Sequence, residues 1–121
     1  MGKGISFYIN YHIKKEHIDT WQKAVNNMLE KMSGEENFIC AYLNKDANDS
    51  THFTLFERWD EPSLESFIEN QLQKKNYRID YEQNIAKWSK CPCSHSNLHP
   101  IEEWHGNHGN ESDINKCNIN D

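Results

Sequence analysis

The sequence predicts an α+β fold, a ferredoxin-like split βαβ antiparallel sheet with helices on one face. Alternating or β-branched segments fall at residues 5–13, 38–44 and 51–59, and a weaker one falls at 98–104. Segments with helical apolar spacing separate them in the order β-α-β-β-α-β. Three strands carry large side chains on both parities, so the face without helices also needs cover. A second copy of the sheet, in a homodimer, is the simplest way to provide it.

The first predicted strand, residues 5–13, has one apolar side and one polar side. The polar side carries Tyr8, Asn10 and His12. Buried polar groups must find hydrogen-bond partners. This side is therefore typical of an enclosed, hydrogen-bonding wall, whose groups either find hydrogen-bond partners or face a ligand.

The first helix is predicted after this strand, because apolar side chains recur there every three or four residues. They are Ile18, Trp21, Val25, Met28, Leu29 and Met32. In the second strand, residues 38–44, Phe38, Cys40 and Tyr42 have one parity and Ile39, Ala41 and Leu43 the other. The polar loop of residues 45–50 predicts an antiparallel hairpin with the third strand.

The stretch THFTLFERWDEPSLESF, residues 51–67, joins the third strand to a helix almost without a loop. Asp60 is predicted to cap a helix over residues 61–72, with Pro62 in its first turn. A further helix follows, because Tyr77, Tyr81, Ile85 and Trp88 recur at helical spacing. The last strand is predicted at 98–104, where Pro100 restricts it to an edge or a strand start.

Composition and charge exclude several classes of partner. The chain has 121 residues and a formal net charge of −6. Without a basic stripe it lacks the charge that binds nucleic acid or anionic membranes, and neither is an expected partner. No apolar run reaches the length of a membrane span, and the first residues do not resemble a signal peptide, so we expect a cytoplasmic protein. Its four cysteines are then expected to be thiols.

A candidate ligand pocket combines the polar side of the first strand with aromatic residues from the second half of the chain. The predicted lining is Tyr8, Asn10, His12, Trp59, Phe67, Tyr77, Tyr81 and Trp88. Flat aromatic walls with a few polar groups suit a planar, partly polar small molecule. Aromatic residues at helical spacing are also typical of core packing, which is the alternative interpretation.

The run FTLFERWDEPSLESF, with the strand–helix–strand half before it, resembles the antibiotic biosynthesis monooxygenase family. The resemblance covers roughly residues 5 to 88. It implies a small ferredoxin-like domain that pairs into a dimeric α+β barrel. It also implies oxidation of a phenolic, quinol or polyketide-like substrate by O₂ without a cofactor. In that chemistry Asn10 would orient the substrate oxygen and His12 would act as the base. A non-catalytic, ligand-binding dimer of the same fold is the alternative.

A related branch of the family degrades haem, with an Asn on the first strand and a Trp and a His in the second half. The resemblance places Asn10 at that Asn, but Phe67 and Tyr77 at the other two positions. Tyrosinate can ligate haem iron, so this alternative stays open.

The C-terminal segment is rich in cysteine and histidine. It holds Cys91, Cys93, His95, His99, His105, His108 and Cys117. Zinc selects such ligands, but the spacing C-x-C gives no clean pair of ligand pairs, so no metal site is predicted. We expect one domain over residues 1–104 and a polar, disordered tail over 105–121.

Overall fold

The computed structural model describes residues 4–106, which contain four strands and three α-helices in the order β-α-β-β-α-α-β. The strands are β1 (Ile5–His12), β2 (Phe38–Lys45), β3 (His52–Trp59) and β4 (Ser94–Leu98). The helices are α1 (Ile18–Met32), α2 (Leu64–Phe67) and α3 (Asn76–Trp88). A short 3-10 turn, Lys15–His17, leads into α1, and a π-helical turn, Ile68–Leu72, continues α2.

The four strands form one antiparallel sheet in the order β2-β3-β1-β4. Ile9, at the middle of β1, lies opposite Leu55 of β3 on one side and His95 of β4 on the other. The order confirms the predicted split βαβ fold, and the pairing of β2 with β3 confirms the predicted hairpin. Gly4, directly before β1, has a φ of 76°. A Cβ there would clash with the carbonyl of Trp59, so only glycine fits.

The helices cover one face of the sheet, which we call the covered face. Every second residue of β1 and β3 lies on the covered face and is buried. These residues are Ile5, Phe7, Ile9, Tyr11, Phe53, Leu55, Glu57 and Trp59. The predicted stripe of α1 packs against them through Trp21, Val25, Met28 and Met32. The opposite face, which we call the open face, has no helix over it within residues 4–106. Period-two alternation therefore decides which side chains enter the core.

The predicted start of the second helix is wrong. Ser63 is the capping residue, and its hydroxyl accepts a hydrogen bond from the amide of Ser66 at 3.0 Å. Asp60 lies outside the helix. The reason is Glu61, which is 1% exposed and whose carboxylate accepts hydrogen bonds from Asn37 at 3.2 Å and from Ser66 at 2.8 Å. These bonds hold residues 60–63 in an irregular segment, so α2 begins at Leu64.

The predicted side-chain parity of β2 is wrong at its first residue. The register of β2 against β3 shifts between Phe38 and Cys40. Phe38 pairs with Trp59 and packs edge-on against its ring, with centroids 5.3 Å apart, so it joins the covered face. Cys40 and Tyr42 belong to the open face. A β-bulge adds one residue to a strand, and simple alternation cannot anticipate it.

The predicted last strand is also misplaced. β4 is Ser94–Leu98, a polar and exposed segment that pairs with β1, whereas residues 99–106 form no regular structure. The free backbone groups of β1 need partners, and a strand at that edge can supply them whatever its side chains are. Arg58 forms an ion pair with Glu103, which holds the segment after β4 beside the open face.

Among the helices of residues 4–106, none combines the length and the apolar character needed to cross a membrane. Within the same residues, no three His, Cys, Asp or Glu side chains are grouped so that they could hold a metal ion. His108 and Cys117, which the zinc alternative includes, lie outside the described residues, as does most of the expected tail.

Candidate functional site

A cavity of about 350 Å³ lies between the covered face of the sheet and the helices. Its floor is the β1 residues Phe7, Ile9 and Tyr11. α2 and the π-helical turn form its roof through Leu64, Phe67, Ile68 and Leu72. The rings of Phe7 and Phe67 lie 4.6 Å apart and inclined at 44°. The cavity is therefore apolar and partly aromatic, which suits a flat organic molecule.

The mouth of the cavity is polar. His95 and Asn97 of β4 and Glu82 of α3 line it, and all three side chains are exposed. The register explains why, since His95 and Asn97 lie opposite Ile9 and Phe7 and share their face of the sheet. The polar edge strand thus provides hydrogen-bonding groups where the cavity meets solvent.

A buried ion pair forms one side of the cavity. Glu57 of β3 and Arg78 of α3 are 1% and 5% exposed, and Oε1 of Glu57 lies 3.7 Å from Nη1 of Arg78. The indole of Trp59 donates a hydrogen bond to the same Oε1 at 2.8 Å. The guanidinium of Arg78 also lies over the ring of Phe67, 5.6 Å from its centroid. Burial of two opposite charges together avoids the larger cost of burying either one alone.

Two tyrosines beside the cavity are held in the neutral form. Burial raises the pKa of Tyr11 well above its ordinary value, and the nearby Tyr81 raises it further. Burial likewise raises the pKa of Tyr81, although its hydroxyl accepts a hydrogen bond from the indole of Trp21 at 2.9 Å. At neutral pH both side chains can therefore donate hydrogen bonds, but neither can act as a base.

The structure does not bring the predicted pocket residues together. Trp59, Phe67, Tyr81 and Trp88 are buried on the covered side, and of these Phe67 lines the cavity. The hydroxyl of Tyr77 donates a hydrogen bond to Glu35 at 2.8 Å, which ties the start of α3 to the loop after α1. Tyr8, Asn10 and His12 point to the open face, so the sheet separates them from the cavity.

On the open face the polar residues of β1 form a hydrogen-bonded cluster. The ring of His52 contacts Asn10 through Nε2 at 2.8 Å and Asp46 through Nδ1 at 3.0 Å. The ring of His12 stacks on that of His52, with centroids 4.5 Å apart and planes inclined by 8°. Asn10 and His12 therefore both contact His52 of the neighbouring strand.

Large apolar side chains are exposed on the open face beside this cluster. Tyr8 is 39% exposed, Tyr42 is 46% exposed, and Leu98 is 40% exposed. Tyr42 stacks on Phe56 of the neighbouring strand, with centroids 6.4 Å apart. Aromatic and aliphatic groups grouped in this way are typical of a surface that meets another protein.

Sequence analysis missed Glu57 and Arg78, although both leave a signal. Glu57 has the same strand parity as the buried Leu55 and Trp59. Arg78 begins the helical stripe that continues through Tyr81 and the rest of the buried side of α3. A charge at a position where periodicity predicts core is rarely tolerated without a partner. Two opposite charges at predicted core positions would therefore have indicated a buried ion pair in the core.

The family model for antibiotic biosynthesis monooxygenases matches residues 5–70, more than half of the chain. No curated protein matches significantly.

Solved structures resemble the fold over most of its length. Rv0793 from Mycobacterium tuberculosis has 14% identity and a TM-score of 0.70, covering 82% of this chain and 96% of that one. An antibiotic biosynthesis monooxygenase has 17% identity and a TM-score of 0.70, covering 81% and 99%. SnoaB, a cofactor-independent oxygenase from Streptomyces nogalater, has 7% identity and a TM-score of 0.68, covering 84% and 96%. At these identities the likeness establishes the fold alone.

Proposed function

This chain belongs to the antibiotic biosynthesis monooxygenase family, and we propose that it is a cofactor-independent monooxygenase that oxidises a planar phenolic or quinol molecule. The observation that carries the proposal is the cavity of about 350 Å³ between the sheet and the helices. It offers an aromatic floor and roof, a buried ion pair at its side and a polar mouth. An apolar enclosure of this kind can bind a flat substrate and exclude water from it.

In the proposed reaction the substrate itself supplies the electrons. A ring methylene of a deprotonated polycyclic phenol reacts with O₂, both C–H bonds break, and a carbonyl forms at that carbon. The second oxygen atom leaves as water. The electrons released by the carbon reduce both oxygen atoms, so the balance needs no external reductant.

The protein's task is to bind the substrate, take up its phenolic proton and keep bulk water away. His95 is the one histidine among the described residues that line the cavity. Histidine side chains commonly serve as general bases in enzymes. We assign His95 the role of accepting the phenolic proton at the mouth. Phe67, which the sequence predicts to contact the substrate, also lines the cavity. Asn10 and His12, on the other face of the sheet, are then placed in the subunit interface.

We further propose that a second copy of the chain covers the open face. Proteins of this family are commonly small dimers. The exposed Tyr8, Tyr42 and Leu98 would pack between the two sheets in a two-fold interface. The cavities would then lie on the outer sides of the dimer, beneath the helices, and the protein would be cytoplasmic.

The alternative function, a non-catalytic dimer that binds the same class of ligand, is supported by one observation. Glu57 already accepts a hydrogen bond and faces Arg78, and Tyr11 is held neutral. The enclosed part of the cavity therefore offers no free base. A haem-degrading function gains no comparable support, because Asn10 faces away from the cavity and the hydroxyl of Tyr77 is bonded to Glu35.

Oxygen consumption with dithranol, a dihydroxyanthrone, tests the proposal in protein shown to be free of flavin and metal. We expect uptake above the spontaneous rate, with one water formed for each carbonyl. Leu72→Trp, which fills the cavity from its roof, should reduce uptake at least about tenfold. The matched control is Gln83→Trp on the outer side of α3, which should leave uptake unchanged. Tight binding of dithranol without oxygen uptake would establish the non-catalytic alternative instead.

A further inference from the structure

Arg78 carries hydrogen-bonding capacity that the described part of the chain does not use. Its side chain is 6% exposed and lines the cavity. Within residues 4–106, its Nε is buried and has no hydrogen-bond partner. Buried N–H groups in proteins are nearly always paired with protein, water or a ligand, so this one points to a partner that residues 4–106 do not supply.

The contacts that Arg78 does make are weak for a guanidinium. Its Nη1 donates to the thioether sulfur of Met32 at 2.9 Å, and thioethers are poor acceptors. The carboxylate of Glu57 is 3.7 Å away, beyond hydrogen-bond length, and the facing oxygen already accepts from Trp59. The positive charge is therefore only partly compensated by direct hydrogen bonds.

The cation also lies where a flat ligand would place its oxygen. The guanidinium lies over the ring of Phe67, that ring also packs against the ring of Phe7, and all three side chains line the cavity. A planar molecule resting on these rings would bring a ring substituent to the side of the cavity that Arg78 forms. A guanidinium attracts an anionic oxygen more strongly than a neutral one, because the hydrogen bond is then charge-assisted on both sides.

We infer that Arg78 is the specificity-determining residue of the cavity and that it selects planar aromatic ligands carrying an acidic hydroxyl, which it binds as the phenolate. The inference rests on the proposed use of this cavity. Binding of the phenolate has a chemical consequence, since the deprotonated ring is the electron-rich form that reacts with O₂. Glu57 acts as a positioning residue that keeps the guanidinium at the cavity wall.

Binding of a nitronaphthol and of its methyl ether, which lacks the acidic proton, tests this inference. The wild-type protein should bind the nitronaphthol about 10- to 100-fold more tightly than the ether. The visible absorbance of bound nitronaphthol should show the phenolate at a pH where the free compound is neutral. Arg78→Lys keeps the charge but not the planar donor set, and should retain part of both effects.

The decisive variant is the double substitution Glu57→Gln with Arg78→Gln. It leaves no uncompensated buried charge and keeps an acceptor for the indole of Trp59, so the fold should survive. Its preference for the naphthol should fall to within about twofold, with binding of the ether unchanged. Circular dichroism checks the fold. If the double variant does not fold, the preference for the nitronaphthol over its ether is measured on Arg78→Lys instead.

Each outcome has a distinct meaning. A double variant that keeps the full phenolate preference, or an Arg78→Lys protein indistinguishable from wild type, would overturn the role of Arg78. A phenolate preference that the wild-type protein shows and the double variant loses, together with no oxygen uptake, would support the role of Arg78 and contradict the monooxygenase proposal. Failure of both compounds to bind the wild-type protein would overturn both.

Discussion

The two faces of the sheet use the same strands in different ways. In β3, Leu55 and Trp59 are fully buried under the helices, whereas Phe56 and Arg58 on the alternate positions remain partly exposed. Helices of the same chain bury the residues of the covered face, apart from the cavity. The open face carries apolar groups that one chain leaves in contact with water. The covered face thus contains the cavity that we propose binds a ligand, and the open face exposes the apolar side chains that we propose contact a second copy of the chain.

Charges follow the same division. On the covered face Glu57 and Arg78 are buried as a pair beside the cavity. On the open face the charged group Asp46 keeps 34% of its side chain exposed while it contacts His52. A buried pair is sensitive to the loss of one member, whereas exposed contacts contribute little to stability. Removing one charge of the buried pair should therefore lower stability strongly, whereas removing an exposed charge on the open face should change it little.

The largest difference is expected between neighbouring residues of β3. Leu55→Ala removes a fully buried side chain and should lower the free energy of unfolding by about 2–5 kcal/mol. Phe56→Ala, its open-face neighbour, should act mainly through the dimer. Its effect on unfolding should therefore depend on protein concentration. Urea denaturation at two protein concentrations measures both. If both variants lost the same free energy of unfolding at every protein concentration, the proposed difference between the two faces would be wrong.

A second substitution addresses the open face directly. Tyr42→Lys places a charge in the proposed interface, and we expect the dimer dissociation constant to rise at least about tenfold, which corresponds to ~1.4 kcal/mol. Analytical ultracentrifugation measures the constant. Gln83→Lys, on the outer side of α3, is the matched control and should leave the dimer intact. A wild-type protein that stays monomeric at micromolar concentration would remove the basis of the proposed interface.

A smaller effect is expected at alkaline pH, where the free energy of unfolding should depend on the buried Tyr11 of the covered face. The pKa of Tyr11 is raised by burial above the ordinary value of 10.0, so the folded state keeps a proton that the unfolded state loses. The stability from this difference is fully present below pH 10.0 and declines above it, by at most ~1.4 kcal/mol per pH unit for each such group. Unfolding free energies measured through this range should fall less steeply in Tyr11→Phe. Tyr42→Phe is the open-face control, and an equal change in that variant would contradict the assignment.

Period-two alternation together with helical spacing was enough to predict the fold class. The buried positions of β1 and β3 follow from alternation, and those of α1 follow from helical spacing. The start of α2 was not predictable in that way, because tertiary hydrogen bonds to Glu61 decide it. β4 was misplaced because backbone pairing with β1, rather than its side chains, forms that strand.

The candidate site was less predictable than the fold. Alternation assigns residues to opposite faces, but it does not tell which face the helices cover. Asn10 and His12 were therefore combined with aromatic residues that lie on the other side of the sheet. The buried pair of Glu57 and Arg78 connects a strand with a helix and depends on their packing. Only the assembled structure brings these two charges together.

The central claim is that the covered face binds the ligand while the open face binds the second copy. Methyl NMR of the wild-type protein tests it most directly, because the two faces carry different methyl groups. Titration with the nitronaphthol should shift the methyl signals of Leu64, Ile68 and Leu72 around the cavity, and dilution should shift those of Leu98. Ligand-induced shifts centred on Leu98, with none at the cavity, would contradict the account.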